Sequence, residues 1–324
     1  MSRLWFAAIA AGSLLCGAAQ AQELDAIQWL ERMYSASKHL SYTGTFLYQR
    51  GDHIETSRIT RLVDEHGVRE RLETLDGMPP REVVRDNDEV TCYLPGSMTM
   101  KVDSRRETRP FPLVQGERLD DIALHYDVRK GVVDRIAGHE AQAIILDPRD
   151  ELRYGHRLWA DLETGLLLKA KTYNERDEQV EQFTFTHLQI GGPIDQKLVQ
   201  SRFAGKGGNW RVETSAMAEA DLSKQGWRLK ALPPGYRKVT ELKRRVGEAE
   251  GVGHVVVSDG LAAVSVFIEP LQAGKVNRTP MGPSRKGALN IYTRHIDNYL
   301  VTVIGEVPAD SVHRIADAVE YKPH

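Results

Sequence analysis

Cysteine is the scarcest chemical resource in this 324-residue sequence, which has two. Cys16 falls inside an N-terminal apolar run and Cys92 in the body of the chain. Loss of that run leaves no second thiol for an intramolecular disulfide, so the fold must rest on its core. There is no C-x-x-C pair, and none of the 11 histidines stands in an H-E-x-x-H, so no zinc-binding spacing exists. A G-x-S-x-G elbow is missing as well. The glycine group at Gly205-Lys206-Gly207-Gly208 lacks the Ser or Thr that completes a phosphate loop and reads as a flexible connection. The adjacent pair Asp120-Asp121 gives no particular geometry for acid–base work. The expectation is a binding protein with no catalytic residues, no metal and no cofactor.

An excess of charge of one sign is lacking too. Lys and Arg number 43 against 45 Asp and Glu, a formal net charge of −2, which argues against nucleic acid as the main partner. After residue 21 no apolar run of about 20 residues occurs, so the mature chain is expected to have no transmembrane segment.

The N-terminus is the first thing that is present. Arg3, an apolar run over 4–16 and Ala19-Gln20-Ala21 form the three-part layout of a secretory signal peptide, expected to be cleaved after Ala21. The run is too short to span a bilayer, and Ser13-Leu14-Leu15 before Cys16 is a poor lipoprotein site. Leu24, Ile27, Leu30 and Tyr34, with Trp29 and Met33, then predict a helix.

Strand signals dominate the rest of the chain. Segments 41–49, 54–63, 68–74, 81–84 and 89–93 read as an antiparallel meander. Pro95, Pro110 and Pro112 make 95–116 a long loop or lid, and 119–128 a short helix running into a strand. Hairpins are expected across Gly138-His139 and across Glu163-Thr164-Gly165, and a strand over 180–190. The polar stretch 201–226 reads as a linker, with a strand around 210–214. Beyond it, 252–258 and 261–269 form a hairpin at Asp259-Gly260, 289–294 and 299–307 another at Asp297-Asn298, and Ser311 caps a final helix. The domain boundaries are therefore 1–21 signal peptide, 22–200 first domain, 201–226 linker and 227–324 second domain.

Two residue groups stand out. Asp147-Pro148-Arg149-Asp150, with Arg153 and Tyr154 behind it, is the densest polar group; a salt-bridged turn is the favoured reading and an anion site the other. Tyr42, Phe46, Tyr48, Trp159, Leu166, Leu168, Phe183 and Phe185 are candidates for lining an apolar cavity able to hold a lipid, with plain core packing the competing reading.

Three stretches together resemble the RseB/MucB family of periplasmic regulators. They are Trp29-Leu30-Glu31-Arg32-Met33 with Tyr42-Thr43-Gly44-Thr45-Phe46; Arg135-Ile136-Ala137-Gly138-His139 through Asp147-Pro148-Arg149-Asp150 and Arg153-Tyr154-Gly155 to Thr164-Gly165-Leu166; and Leu232-Pro233-Pro234-Gly235-Tyr236 with 258–270 and 301–308. The resemblance implies an α+β protein: an N-terminal LolA-like open antiparallel β-half-barrel with helices, then a smaller C-terminal α/β domain of antiparallel strands with a terminal helix. It further implies a periplasmic protein that binds the periplasmic segment of a membrane-spanning anti-sigma factor of the RseA/MucA type and hinders its regulated proteolysis. The envelope-stress sigma factor then stays inactive, and lipid or lipopolysaccharide loosens the complex. Under this reading Val256, Leu261, Val264, Phe267 and Ile268 are candidates for the anti-sigma-binding region. A periplasmic lipid or lipoprotein carrier of the LolA type is the alternative.

Overall fold

The computed structural model describes residues 24–76, 80–104, 119–204, 209–214, 218–246, 249–271 and 280–323. Helix α1 (Ala26–His39) opens the chain. Asp25 accepts from the Gln28 amide at 2.8 Å while the Gln28 side chain accepts from the Asp25 amide at 2.9 Å, a reciprocal cap that satisfies two otherwise orphaned donors. Its apolar face buries Trp29, Leu30 and Met33. Full burial of a side chain such as Leu30 contributes about 1.5–3 kcal/mol.

The first sheet begins with β1 (Tyr42–Arg50), β2 (His53–Asp64), β3 (Gly67–Thr74), β4 (Glu82–Asp86), β5 (Glu89–Leu94) and β6 (Thr99–Ser104). After α2 (Leu119–His125) come β7 (Tyr126–Ile136), β8 (His139–Pro148), β9 (Gly155–Asp161), β10 (Leu167–Tyr173) and β11 (Gln179–Ile190). These join β12 (Arg211–Thr214) in one 12-stranded open sheet, order β12-β6-β5-β4-β3-β2-β1-β11-β10-β9-β8-β7. All neighbours are antiparallel except β12 on β6. Two meanders therefore meet at β1, whose partners on either side are β2 and β11.

Two expectations are corrected by the chain's own path. The stretch from Pro95 is not wholly a loop: a 3-10 turn at Pro95–Ser97 leads into β6. Met98, at φ 47°, makes the left-handed step between them. The remainder of that expected lid, 105–116, lies outside the described residues, as does the signal peptide. The strand read around 210–214 exists, but as an edge strand of the large sheet and not as free connection.

The approach to β12 is moored. Arg202 pairs with Glu73 at 2.6 Å and with Glu82 at 3.5 Å, and its amide also donates to Glu82. Glu73 and Glu82 face each other across β3 and β4, both buried, and Arg71 reaches Glu73 at 2.9 Å. The Arg71 guanidinium also donates to the Leu198 and Gln200 carbonyls. Tyr93, Phe203 and Trp210 close the contact with tilted and edge-on rings.

The second sheet comprises β13 (Ala218–Glu219), β15 (Arg237–Val246), β16 (Ala249–Ser258), β17 (Ala263–Pro270), β18 (Gly282–Lys286), β19 (Leu289–Ile296) and β20 (Tyr299–Gly305). The pair β14 (Trp227–Leu229) and β21 (Val319–Tyr321) flanks it. Helix α3 (Ala309–Asp317) sends Val312, Ile315 and Ala316 into the same core as Val264, Val266, Ile268, Val301 and Val303. Ser311 is not its cap. The helix starts at Ala309 behind Pro308, and the Ser311 hydroxyl lies inside the first turn with an acceptor elsewhere.

Candidate functional site

The loop between β8 and β9, residues 149–154, joins two neighbouring strands of the first sheet and makes contacts that reach the second domain. Arg153 is its centre, with no side-chain surface left to water. Its Nε donates to Asp150 at 2.9 Å, and its Nη2 donates to the Pro234 carbonyl at 2.7 Å. Nη1 lies 3.6 Å from Asp259, whose side chain is also fully buried. The guanidinium sits over the Tyr126 and Tyr236 rings, 5.7 and 5.5 Å from their centroids. Burial pulls the Arg153 pKa down, but the Asp150 and Asp259 carboxylates outweigh it and the net shift is upward.

The neighbours of Arg153 complete the junction. Tyr126 donates to Asp259 at 3.0 Å, and burial, then the Asp259 charge, hold its phenol well above the ordinary range. Asp259 in turn accepts from the Leu261 and Ala262 amides, which shapes the β16–β17 turn. The Leu152 carbonyl accepts both the Tyr236 and the Ser311 hydroxyls, at 2.9 and 2.5 Å. Asn290 donates to the Tyr154 hydroxyl at 3.1 Å and to the Val307 carbonyl at 2.8 Å. Gly235, at φ +81°, packs so tightly that a Cβ there would lie 2.6 Å from the His125 ring and 3.0 Å from Arg153. The polar group read as a salt-bridged turn is thus a turn whose outward arm joins two domains. Its long-range partners, Pro234 and Asp259, carry no signal near it in sequence.

The cavity candidates fall together. Tyr42, Phe46, Leu166, Leu168, Phe183 and Phe185 form one buried cluster, and Tyr48 and Trp159 pack on it half-buried. A register shift between Thr45 and Phe46 brings Phe46 opposite Phe185 and Tyr48 opposite Phe183. Phe46 and Phe183 stand edge-on at 5.2 Å and Phe183 and Phe185 at 5.1 Å, the geometry that aromatic pairs favour. A Cβ on Gly44 would reach the Phe185 ring at 2.7 Å, so the strand has room only for glycine there.

The candidates on the second sheet separate. Val264 and Ile268 point into the α3 core. Leu261 packs instead against the α1–α2 core of the first domain. Val256 and Phe267 lie half-buried on the opposite face, where Phe267 stacks on His254 at 4.4 Å and His254 meets Ser265 at 3.1 Å. Among the described residues no three His, Cys, Asp or Glu side chains are grouped to hold a metal ion. None of the described helices is long and apolar enough to cross a membrane. Cys92 is a free thiol whose pKa burial raises.

Two family models match the chain in sequence order: the MucB/RseB N-terminal domain over residues 25–203 and the MucB/RseB C-terminal domain over residues 221–320. The chain belongs to the MucB/RseB family. Among its MucB/RseB relatives is the sigma factor AlgU regulatory protein MucB of Pseudomonas aeruginosa, 34% identical over 310 residues that cover 94% of this chain and 93% of that protein. The sigma-E factor regulatory protein RseB of Haemophilus influenzae is 26% identical over 323 residues, 98% of each chain. The crystal structure of MucB in complex with MucA(peri) superposes with a TM-score of 0.69 at 31% identity, covering 93% of this chain and 100% of that one. The named MucB/RseB relatives are regulators of sigma factors. The long-range junction at Arg153 therefore bridges the two segments that the two MucB/RseB models describe.

Proposed function

We propose that this chain is a periplasmic negative regulator that binds the periplasmic segment of a membrane-spanning anti-sigma factor of the MucA/RseA type. By holding that segment it protects it from regulated proteolysis and keeps an envelope-stress sigma factor inactive. The observation that carries this reading is the full-length likeness, both domains in order, to a MucB seen in complex with MucA(peri). The physics is compatible: a flexible peptide held in one ordered conformation is denied to a protease that needs it extended.

The second domain makes the anti-sigma contact in this reading. Val256 and Phe267 offer the half-buried apolar face, Val264 and Ile268 support it from beneath, and Leu261 links it to the first domain. Lipid or lipopolysaccharide releases the complex by favouring a different arrangement, and reciprocity requires that bound anti-sigma segment weaken the lipid by the same factor. The aromatic cluster from Tyr42 to Phe185 is where a lipid chain would enter, and its rings must part to admit one. A lipid or lipoprotein carrier is the second reading; it draws on that cluster alone and gives residues 227–324 no work.

The test mixes the chain from residue 22 onward with the periplasmic segment of its anti-sigma factor and follows cleavage by the initiating protease. Slower cleavage, restored by lipopolysaccharide fragments, is the expected result. Unchanged cleavage with no binding removes the regulator reading, and mass spectrometry of copurifying lipid then examines the carrier.

A further inference from the structure

We propose that docking of the two domains on each other is proton-linked through Glu306, which meets Glu181 of the first domain across the single guanidinium of Arg50. Glu306 leaves the second sheet in the short connection between β20 and α3, and its side chain keeps 18% of its surface. Arg50 ends β1 opposite Glu181 on β11. Its Nε is 2.5 Å from Glu306 and its Nη2 3.6 Å from Glu181. Tyr48 donates its hydroxyl to Glu181, and Arg50 lies over the Tyr48 ring at 5.4 Å. The Glu306 and Glu181 carboxyls thus meet on one guanidinium.

Two carboxylates, one from each domain, thus share one cation in a half-dehydrated place. With both ionised, the cluster carries one negative charge in excess, and that charge straddles the domain boundary. One proton held between the carboxyls removes it. Burial first, and the Glu181 charge second, raise the Glu306 pKa to about 7 against the opposing pull of Arg50. Other groups also face the cluster. The Tyr154 hydroxyl feels Glu306, together with Glu175 and with Arg285 of β18. His156 of β9 feels Glu181 and is held toward its neutral form by burial.

The direction of the linkage comes from comparing the docked and parted forms. When the domains part, Glu306 regains water and titrates in the ordinary carboxylate range, near 4.5. The docked form therefore holds the proton more tightly. Docking gains strength as the pH falls from about 7 toward 4.5 and loses it as the pH rises through about 7. One linked proton limits the effect to about tenfold in the docking equilibrium per pH unit.

The experiment compares the full mature chain with Glu306→Gln at pH 5.5 and 8.5, reading hydrogen exchange of the junction amides at residues 259–262 together with urea stability. The amide keeps the shape of the carboxyl without its charge. At pH 8.5 the junction of the unaltered protein is expected to open on the order of 300-fold more than that of the variant. At pH 5.5 the gap is expected to narrow to about tenfold, because only the parted form is ionised there and docking still takes up a proton. Titration of His156 acts on both proteins alike and cancels in the comparison. A difference that stays constant with pH overturns the proposal. The Glu306 carboxyl resonance in the unaltered protein provides a second readout that needs no variant: a midpoint near 7 supports the linkage, and one in the ordinary carboxylate range overturns it.

Discussion

Arg153 donates to the carbonyl of Pro234 at 2.7 Å, and this one bond ties a turn of the first sheet to a turn of the second through a side chain that water does not reach. The same guanidinium neutralises Asp259, which has no exposed side-chain surface.

Truncation of Arg153 to Ala leaves the Asp259 charge buried and met only by neutral donors, the Tyr126 hydroxyl and the Leu261 and Ala262 amides. A loss of about 3–5 kcal/mol is expected, as for other buried pairs broken from one side. Chemical denaturation checks it. The double variant Arg153→Met with Asp259→Leu should recover a large part of that loss, because the unpaired charge is gone.

Gly235→Ala should destabilise the protein by about 1–3 kcal/mol, since the residue sits at φ +81° and a Cβ would press on His125 and Arg153. Gly138→Ala at φ +90° meets no neighbour within 4 Å and should lose only the cost of the backbone conformation. The gap between the two, measured by thermal unfolding, isolates the energy of crowding the junction.

Arg202→Ala removes a cation from two buried carboxylates that face each other, Glu73 and Glu82. Repulsion between them should free the segment that runs toward β12. Limited proteolysis within residues 201–214 is expected to speed up several-fold, with little change in cuts elsewhere. Equal cutting in both proteins would show that Arg71 alone holds the segment.

Phe183→Ala tests what the aromatic cluster is. As filled core it should cost about 3–5 kcal/mol, the range for removing a buried ring. A loss below about 1 kcal/mol would mean that the ring lines a space already open.

Much of this architecture is legible where the causes are local. The α1 stripe with Trp29 and Met33, and the hairpin turns at Gly138, Gly165 and Asp297, come from spacing and turn chemistry within a few residues. Strand β15 carries no such signal. Irregularities between Lys238 and Thr240 and between Arg244 and Val246 break the alternation, and its many Arg and Lys residues mask the rest. Pro95 before β6, and Pro110 and Pro112 after it, hide that strand by making the whole stretch read as a loop. Ser311 resembles a cap because a serine before an apolar helix usually is one; its acceptor, Leu152, is 159 residues away. The Asp150–Arg153 pair spans three residues and can be anticipated as a turn, whereas Asp259 and Pro234 join it only in three dimensions. Strand alternation gathers the eight aromatic and aliphatic residues of the cluster, yet it says nothing of whether the space among them is full.

The Leu152 carbonyl, which takes hydroxyls from both Tyr236 and Ser311, makes the second domain a poor candidate for life by itself. Cut away from residues 149–154, it would keep Tyr236, Ser311, Asn290 and Asp259 facing outward from a surface shaped for partners it no longer had. The two domains of this one family keep separate hydrophobic cores, yet they are joined by polar groups that neither half can satisfy alone. Calorimetry of the whole protein should accordingly record one melting event, with the halves surviving or failing as a unit.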